Sequence, residues 1–93
     1  MHRPSLRQLS YLIALRERGS FIAAAEECAV TQSTLSAGIK ELEIILSQPL
    51  VIRGRKATHL TPFGLEVYDN AQKIINDTDR IVARSKLISQ PLS

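Results

Sequence analysis

The stretch SFIAAAEECAVTQSTLSAGIKELEIIL, residues 20–46, decides the fold. Ser20 is a favourable N-cap for a short helix over Phe21–Cys28, and Thr31 caps a second helix from about Gln32 to Leu46. The second helix repeats its apolar side chains at i, i+4, i+7 and i+11, on one stripe: Leu35, Ile39, Leu42 and Leu46. Only Ala29-Val30 connects the two helices. Helices joined by so short a turn cross steeply, so the stretch predicts a helix-turn-helix.

A further helix precedes this pair. Ser5 is a favourable N-cap and Gln8, three residues later, completes a capping-box pattern. Gly19 follows the last helical turn as a residue that tolerates the left-handed backbone. Apolar residues recur between these signals with helical spacing: Leu6, Leu9, Tyr11, Leu12, Ile13 and Leu15. Leu, Ile, Val and Ala must form the core, because only 4% of the residues are aromatic.

A short hairpin is predicted after the helix-turn-helix. Gln48-Pro49 ends the helix, and Leu50–Ile52 and Thr58–Leu60 are apolar, β-branched runs separated by a turn over Gly54–Ala57. A hairpin in this position is a wing. The predicted fold is therefore all-α with a small β-hairpin wing: a winged helix-turn-helix followed by a long helix.

The net charge of +3 is localised. Residues 1–60 hold eight basic and five acidic side chains, whereas residues 61–93 hold four of each. No acid lies between Glu43 and Glu66, and that interval contains four basic or titratable side chains: Arg53, Arg55, Lys56 and His59. Such a cluster attracts polyanions with a strong dependence on salt. A solvated loop kept soluble by its charges is the alternative that charge alone leaves open.

The last helix begins with Thr61 as N-cap and Pro62 at the first helical position, and no breaker interrupts residues 63–90. Its seam alternates large and small residues in a heptad pattern: Val67, Ala71, Ile74, Thr78, Ile81, Ser85 and Ile88. About 26 residues give a rod near 40 Å long. A small domain cannot cover such a rod, so we expect a second copy as its partner. A helix folded back on its own domain is the alternative.

The outer face of the helix from Gln32 to Leu46 carries short or polar side chains, which would allow it to enter a DNA major groove about 12 Å wide. Gln32 can bond an adenine edge, Ala37 can meet a thymine methyl, and Thr31 can donate to a phosphate, as can Ser36 and Lys40. The candidate DNA-binding residues on this helix and the wing are Thr31, Gln32, Ser33, Thr34, Ser36, Ala37, Lys40, Arg53, Arg55 and Lys56. An ordinary solvated helix face is the alternative. The short preceding helix and the basic wing favour double-stranded DNA.

Other classes of function find little support in the sequence. There is no phosphate-binding glycine loop, no His/Cys set with metal-ligand spacing and no nucleophile with a plausible base, so we expect no enzyme activity, no cofactor and no metal site. Cys28, the single cysteine, lies on a packing face, and its isolation indicates a cytoplasmic protein. No apolar run is long enough for a membrane span, and the N-terminus is unlike a signal peptide. A pure dimerisation scaffold would explain the heptad seam but not the basic wing.

The order and spacing of several short motifs resemble the N-terminal domain of bacterial LysR-type transcriptional regulators. The motifs are Leu6-Arg7-Gln8-Leu9, Tyr11, Gly19-Ser20-Phe21, Ala24-Ala25, Val30–Ser36, Ile39, Leu42-Glu43, Pro49-Leu50, Arg53 and Leu60–Gly64. The resemblance implies that Gln32 reads a base, that Thr31 and Ser36 contact phosphates, and that Arg53 supports backbone or minor-groove contact. It also implies a homodimer through the linker helix, a tetramer in the full-length protein and a C-terminal effector-binding domain that is absent here.

On this interpretation residues 1–62 form the winged helix-turn-helix domain, residues 63–90 the linker helix and residues 91–93 a tail. The sequence departs from the family pattern at several positions. Ser33 replaces proline, Ser47 replaces glycine, Val51-Ile52 replaces Phe-Glu, and Ala37 and Gly38 replace arginine and glutamine. Without that arginine we expect the protein to read DNA shape and backbone more than base edges. Gly38 flanks the buried stripe, which predicts close packing of two helices there.

Overall fold

The computed structural model describes residues 2–54 and 58–89 of the chain. Within those ranges the elements are, in order, α1 (Leu6–Arg18), α2 (Phe21–Cys28), α3 (Gln32–Leu46), β1 (Val51–Arg53), β2 (Thr58–Leu60) and α4 (Pro62–Ser89). Helices α1, α2 and α3 pack on one another, and α4 packs on α1. The architecture confirms the predicted winged helix-turn-helix with a long C-terminal helix.

The helix boundaries follow from the caps. Ser5 and Gln8 form the complete capping box. The Ser5 nitrogen lies 2.9 Å from the Gln8 side-chain oxygen, and the Gln8 nitrogen lies 3.1 Å from the Ser5 hydroxyl oxygen. The Ser20 hydroxyl accepts from the third residue of α2, and the Thr31 hydroxyl does the same at the start of α3. Gly19 ends α1 in the left-handed conformation, at φ 78°. These local signals confirm all three predicted helix starts.

The core lies where α1, α2 and α3 meet. Its fully buried members are mostly aliphatic, as the composition predicted: Leu12, Leu15, Ala24, Leu35, Ile39, Leu42, Leu50 and Ala71. Leu46, at the end of the α3 stripe, is only partly buried. Leu6 is 45% exposed, because it stands in the first turn of α1 beside an open groove between α1 and α4.

Gly38 lies at a close approach between α3 and α1. A Cβ atom at this position would lie 2.6 Å from Cδ2 of the buried Tyr11 ring. Such a separation is far below van der Waals contact. The close helix packing predicted at Gly38 is therefore confirmed.

The hairpin pairs β1 and β2 antiparallel, with Ile52 opposite His59 and Arg53 opposite Thr58. The predicted first strand, Leu50–Ile52, was wrong by one residue. Leu50 is instead fully buried at the base of the hairpin, where its N–H is bonded to a side chain of α3 rather than to a strand. Three residues of the predicted turn Gly54–Ala57, residues 55–57, lie outside the described residues.

Helix α4 gives the molecule its elongated form, 56 × 30 × 20 Å. Its 28 residues correspond to a rod of about 42 Å, only part of which contacts the other helices. In the part of the chain that the structure describes, no helix is long and apolar enough to cross a membrane.

Candidate nucleic-acid interface

The predicted reading face is the exposed side of α3. Gln32, Ser33, Ala37 and Lys40 are exposed, and Ser36 is half-buried at the edge of the same face. The opposite side of α3 is fully buried against α1 and α2 through the Leu35–Ile39–Leu42 stripe. The packing of α3 therefore leaves its short and polar side chains directed away from the core.

Thr31 and Thr34 form a hydroxyl pair at the N-terminus of α3. The Thr31 Oγ1 atom accepts from the Thr34 backbone N–H at 3.1 Å and donates to Thr34 Oγ1 at 2.8 Å. Both residues are exposed. The pair uses one of its two hydroxyl hydrogens internally, so one hydrogen remains that could be donated to a phosphate.

The wing is held at its base from two sides. On the α3 side, the Glu43 carboxylate accepts from the backbone N–H of Leu50 at 2.7 Å and of Val51 at 3.4 Å. On the α4 side, the Thr61 hydroxyl donates to the Pro49 carbonyl at 2.8 Å, and the Thr61 N–H donates to the Leu50 carbonyl at 3.0 Å. The base of the wing is thus fixed relative to both α3 and α4.

Thr61 also caps α4, as predicted, by accepting from the Gly64 backbone N–H at 2.9 Å. Gly64 itself lies against the wing base. A Cβ atom there would be 2.2 Å from the Leu50 carbonyl oxygen and 3.2 Å from Leu60 Cβ. Only glycine permits this approach, so the start of α4 packs directly against the backbone at the base of the wing.

The Arg53 side chain extends from the wing over the ring of Phe21, with its guanidinium carbon 5.3 Å from the ring centroid. A shallow concavity joins this pair to the α3 face, and its lining comprises Phe21, Gln32, Ser36, Arg53, Gly54 and Thr58. The structure therefore brings Gln32, Ser36 and Arg53 to one surface. The predicted contacts Arg55 and Lys56 lie outside the described residues.

The cations of this surface form no ion pair with the carboxylates of the described residues. Among residues 2–54 and 58–89, one salt bridge has its nitrogen and oxygen atoms within 4 Å, and it joins the exposed side chains of Arg80 and Asp77 on α4. Lys40 and Arg53 thus keep their charge for an external anion. Metal ligands do not gather here, since the described residues include no group of three His, Cys, Asp or Glu side chains that could hold an ion.

The seam of α4 divides into two parts. Val67 packs against the core and Ala71 is fully buried in it, so these two positions contact the protein's own domain. Farther along the helix, Ile74 is 44%, Ile81 71% and Ile88 70% exposed. The first half of α4 thus folds back on its own domain, as the alternative from the sequence has it, and the second half has an uncovered apolar stripe.

The small seam residues satisfy their hydroxyls within the helix. Thr78 donates to the Ile74 carbonyl at 3.0 Å and Ser85 to the Val82 carbonyl at 2.7 Å. The hydrogen of each hydroxyl is therefore bonded within the helix, while its oxygen can still accept from water.

A polar cluster sets the direction of α4 relative to α1. The Glu17 carboxylate accepts from the Tyr68 hydroxyl at 3.1 Å and from the Gln72 amide at 3.5 Å. The Arg16 guanidinium lies 5.8 Å from the centre of the Tyr68 ring. Partial burial and the hydrogen bond to Glu17 raise the pKa of Tyr68. The cluster connects the two helices at the point where α4 leaves the domain.

Cys28 is half-buried and packs against the core, in agreement with its predicted structural role. Burial, followed by the neighbouring Glu27 charge, raises the pKa of its thiol. A raised pKa lowers the thiolate fraction and with it the reactivity of the sulfur.

Sequence reasoning missed the residues that position the site. Glu43 and Phe21 were visible only as parts of family motifs, and no local signal joins them to Leu50 and Arg53. Glu43 is the last acid before the acid-free interval, and this position is the one hint that the sequence offers.

The model of the lysR family of bacterial regulatory helix-turn-helix proteins matches residues 6–65. Among curated proteins, the HTH-type transcriptional regulator EstR of Acinetobacter baylyi is 47% identical over 90 residues, which cover 97% of this chain and 30% of EstR. The regulator BenM of the same organism is 36% identical over 84 residues, covering 90% of this chain and 28% of BenM. The chain thus spans about 30% of the length of these relatives.

Solved structures agree with these matches. A complex of the BenM DNA-binding domain with catB site 1 DNA superposes with a TM-score of 0.88 at 34% identity, covering 96% of this chain and 99% of that one. A full-length OxyR variant from Pseudomonas aeruginosa gives a TM-score of 0.89 at 34% identity, covering 96% of this chain and 30% of that one. The chain belongs to the lysR family of bacterial regulatory helix-turn-helix proteins, and its fold is that of their DNA-binding domains.

Proposed function

We propose that this chain is the DNA-reading part of a longer bacterial transcriptional regulator and binds double-stranded DNA with sequence preference. Helix α3 enters the major groove, and the basic wing contacts the backbone or the minor groove. The observation that carries the proposal is the common surface of Gln32, Ser36 and Arg53, which joins a base-reading amide, a hydroxyl and an unneutralised cation. The whole protein is then a cytoplasmic transcription factor, and no membrane partner is expected.

Each candidate contact has a role in this proposal. The exposed amide of Gln32 reads a base edge and Ala37 packs on a thymine methyl, while Lys40 and Arg53 neutralise phosphates. Hydroxyls at the start of α3 and on its flank bind phosphate oxygens: Ser33, Ser36 and the Thr31–Thr34 pair, which has one hydrogen to donate. Arg55 and Lys56 add charge to the wing.

A salt titration separates DNA binding from a pure scaffold role. We expect the affinity for a labelled duplex to fall steeply as salt rises, because each neutralised phosphate contributes about −0.9 to the slope of log K against log salt. Arg53→Ala should lower the slope by about one unit on every duplex. Lys86→Ala removes the same charge on the last turn of α4 and should leave the slope unchanged. Negligible binding at low salt would favour the scaffold.

We also propose that the chain forms a homodimer through α4. The exposed stripe Ile74–Ile81–Ile88 supports a partner helix, because contiguous apolar surface of this kind is rarely left in water. The groove between α1 and α4, beside Leu6 and Phe63, continues the same apolar surface onto the domain. Dimers of the full-length protein would associate further into a tetramer.

Sedimentation measures the dimer directly. Ile81→Glu places a charge on the stripe and should shift the mass toward that of a monomer at micromolar concentration. Ile44→Glu is a matched control, since Ile44 is 68% exposed on α3 and Ile81 is 71% exposed on α4. A dimer that survives Ile81→Glu as well as Ile44→Glu would contradict the interface.

A further inference from the structure

The path of the chain brings the wing onto the start of α2. Gly19 turns the backbone at φ 78°, Ser20 is extended as the N-cap, and Phe21 is the first residue of α2. The N–H of Thr58 in β2 donates to the Gly19 carbonyl at 3.4 Å. Because Arg53 is the strand partner of Thr58, this bond places the Arg53 backbone beside the α1–α2 corner.

The Phe21 ring has two different neighbours. The partly buried ring packs against the hydrophobic core, and the Arg53 guanidinium lies over the ring, 5.3 Å from its centroid. That distance lies within the range of about 6 Å at which a cation and an aromatic face attract. Core packing fixes the ring, and the ring in turn restricts a long and exposed side chain.

Arg53 needs such a restraint, because no carboxylate of residues 2–54 or 58–89 lies within 4 Å of its guanidinium. The one salt bridge found among residues 2–54 and 58–89 lies on α4 and does not involve Arg53. The Arg53 side chain is exposed at the end of a three-residue strand. A free arginine loses considerable rotamer entropy when it binds a phosphate. A carboxylate would also restrain the guanidinium, but it would neutralise the positive charge that a phosphate needs. An aromatic face restrains the guanidinium and leaves the charge available.

We propose that Phe21 is a positioning residue for DNA binding, which holds the Arg53 guanidinium beside Gln32 and Ser36 before DNA arrives. The inference rests on the proposed DNA-binding function and adds a role for a residue outside the candidate DNA contacts. The concavity lined by these four residues is the place where a backbone phosphate would meet Arg53 and the Ser36 hydroxyl.

A double-mutant cycle tests the proposal. Phe21→Leu keeps an apolar side chain in the core and removes the aromatic face, and we expect a loss of duplex affinity of about two- to fivefold. Arg53→Ala should cost more and flatten the salt slope. In combination with Arg53→Ala, the Phe21→Leu change should have no further effect. Phe21→Tyr retains the ring and should restore the affinity and the slope.

Three results would overturn the proposal. Equal losses from Phe21→Leu with and without Arg53 would make the role of Phe21 purely structural. Full affinity in the Phe21→Leu variant would mean that Arg53 needs no aromatic support, and full affinity in the Arg53→Ala variant would mean that Arg53 does not contact DNA. Failure of the unmodified protein to bind any duplex would instead refute the proposed function, so the two failures are distinguishable.

Discussion

Replacing Gly64 by alanine tests how the wing is joined to α4. The new Cβ would lie 2.2 Å from the Leu50 carbonyl oxygen and 3.1 Å from its carbon, so backbone rather than a flexible side chain must move. Forcing atoms into a packed site costs about 1–3 kcal/mol. The same shift weakens the bond from the Thr61 N–H to the Leu50 carbonyl, worth about 1 kcal/mol.

Helix propensity opposes these costs, because alanine is favoured over glycine by about 1 kcal/mol in a helix. We therefore expect Gly64→Ala to destabilise the protein by about 2 kcal/mol. For a domain of this size that corresponds to a fall in the midpoint of thermal unfolding of roughly 8–16 °C.

Thermal unfolding followed by far-ultraviolet circular dichroism provides the assay. Protein concentration is held fixed, because association would make the midpoint depend on it. Gly19→Ala is the control: nothing lies within 4 Å of its Cβ position, so only the left-handed backbone at φ 78° opposes the change, by about 1 kcal/mol. A midpoint for Gly64→Ala equal to or above that of the unmodified protein would refute the reasoning.

Three further outcomes follow from single contacts. Glu43→Ala leaves the Leu50 N–H without its acceptor and should cost about 1–3 kcal/mol in denaturant unfolding, whereas Glu43→Gln retains an acceptor oxygen and should cost less; equal costs would count against the carboxylate contact. Ser47→Gly should stabilise the protein by about 0.5–1 kcal/mol, because Ser47 ends α3 in the left-handed region at φ 55°; a loss of stability would contradict this. Since burial and Glu27 raise the pKa of Cys28, iodoacetamide at pH 8 should alkylate the folded protein more slowly than the denatured chain, and equal rates would show a normal thiol.

Local signals were sufficient for much of the fold. Ser5 with Gln8, Ser20 and Thr31 each act within three residues, and their side chains cap the helices that the sequence predicted. The Leu35–Ile39–Leu42 stripe is equally local, since one helical period decides which face is buried. For the same reason the exposed face of α3, on the opposite side, was predictable.

Contacts between distant segments were not predictable in this way. Glu43 bonds to Leu50 only because α3 ends beside the wing, and Phe21 meets Arg53 only because β2 bonds to the end of α1. Ala71 illustrates the limit most clearly. A heptad pattern indicates that a position is covered but not by what, and the cover at Ala71 is the protein's own core.

The central claim is that α3 reads bases through Gln32, and a pair of duplexes tests it most directly. One is a site selected by the unmodified protein from random duplexes, and the other is a scrambled duplex of the same composition. Gln32→Ala should weaken binding to the selected site by about 1–3 kcal/mol, or roughly 5- to 150-fold, and leave the scrambled duplex unaffected. Gln48→Ala, an exposed glutamine beyond the end of α3, should change neither affinity. Equal losses on both duplexes for Gln32→Ala would contradict the claim.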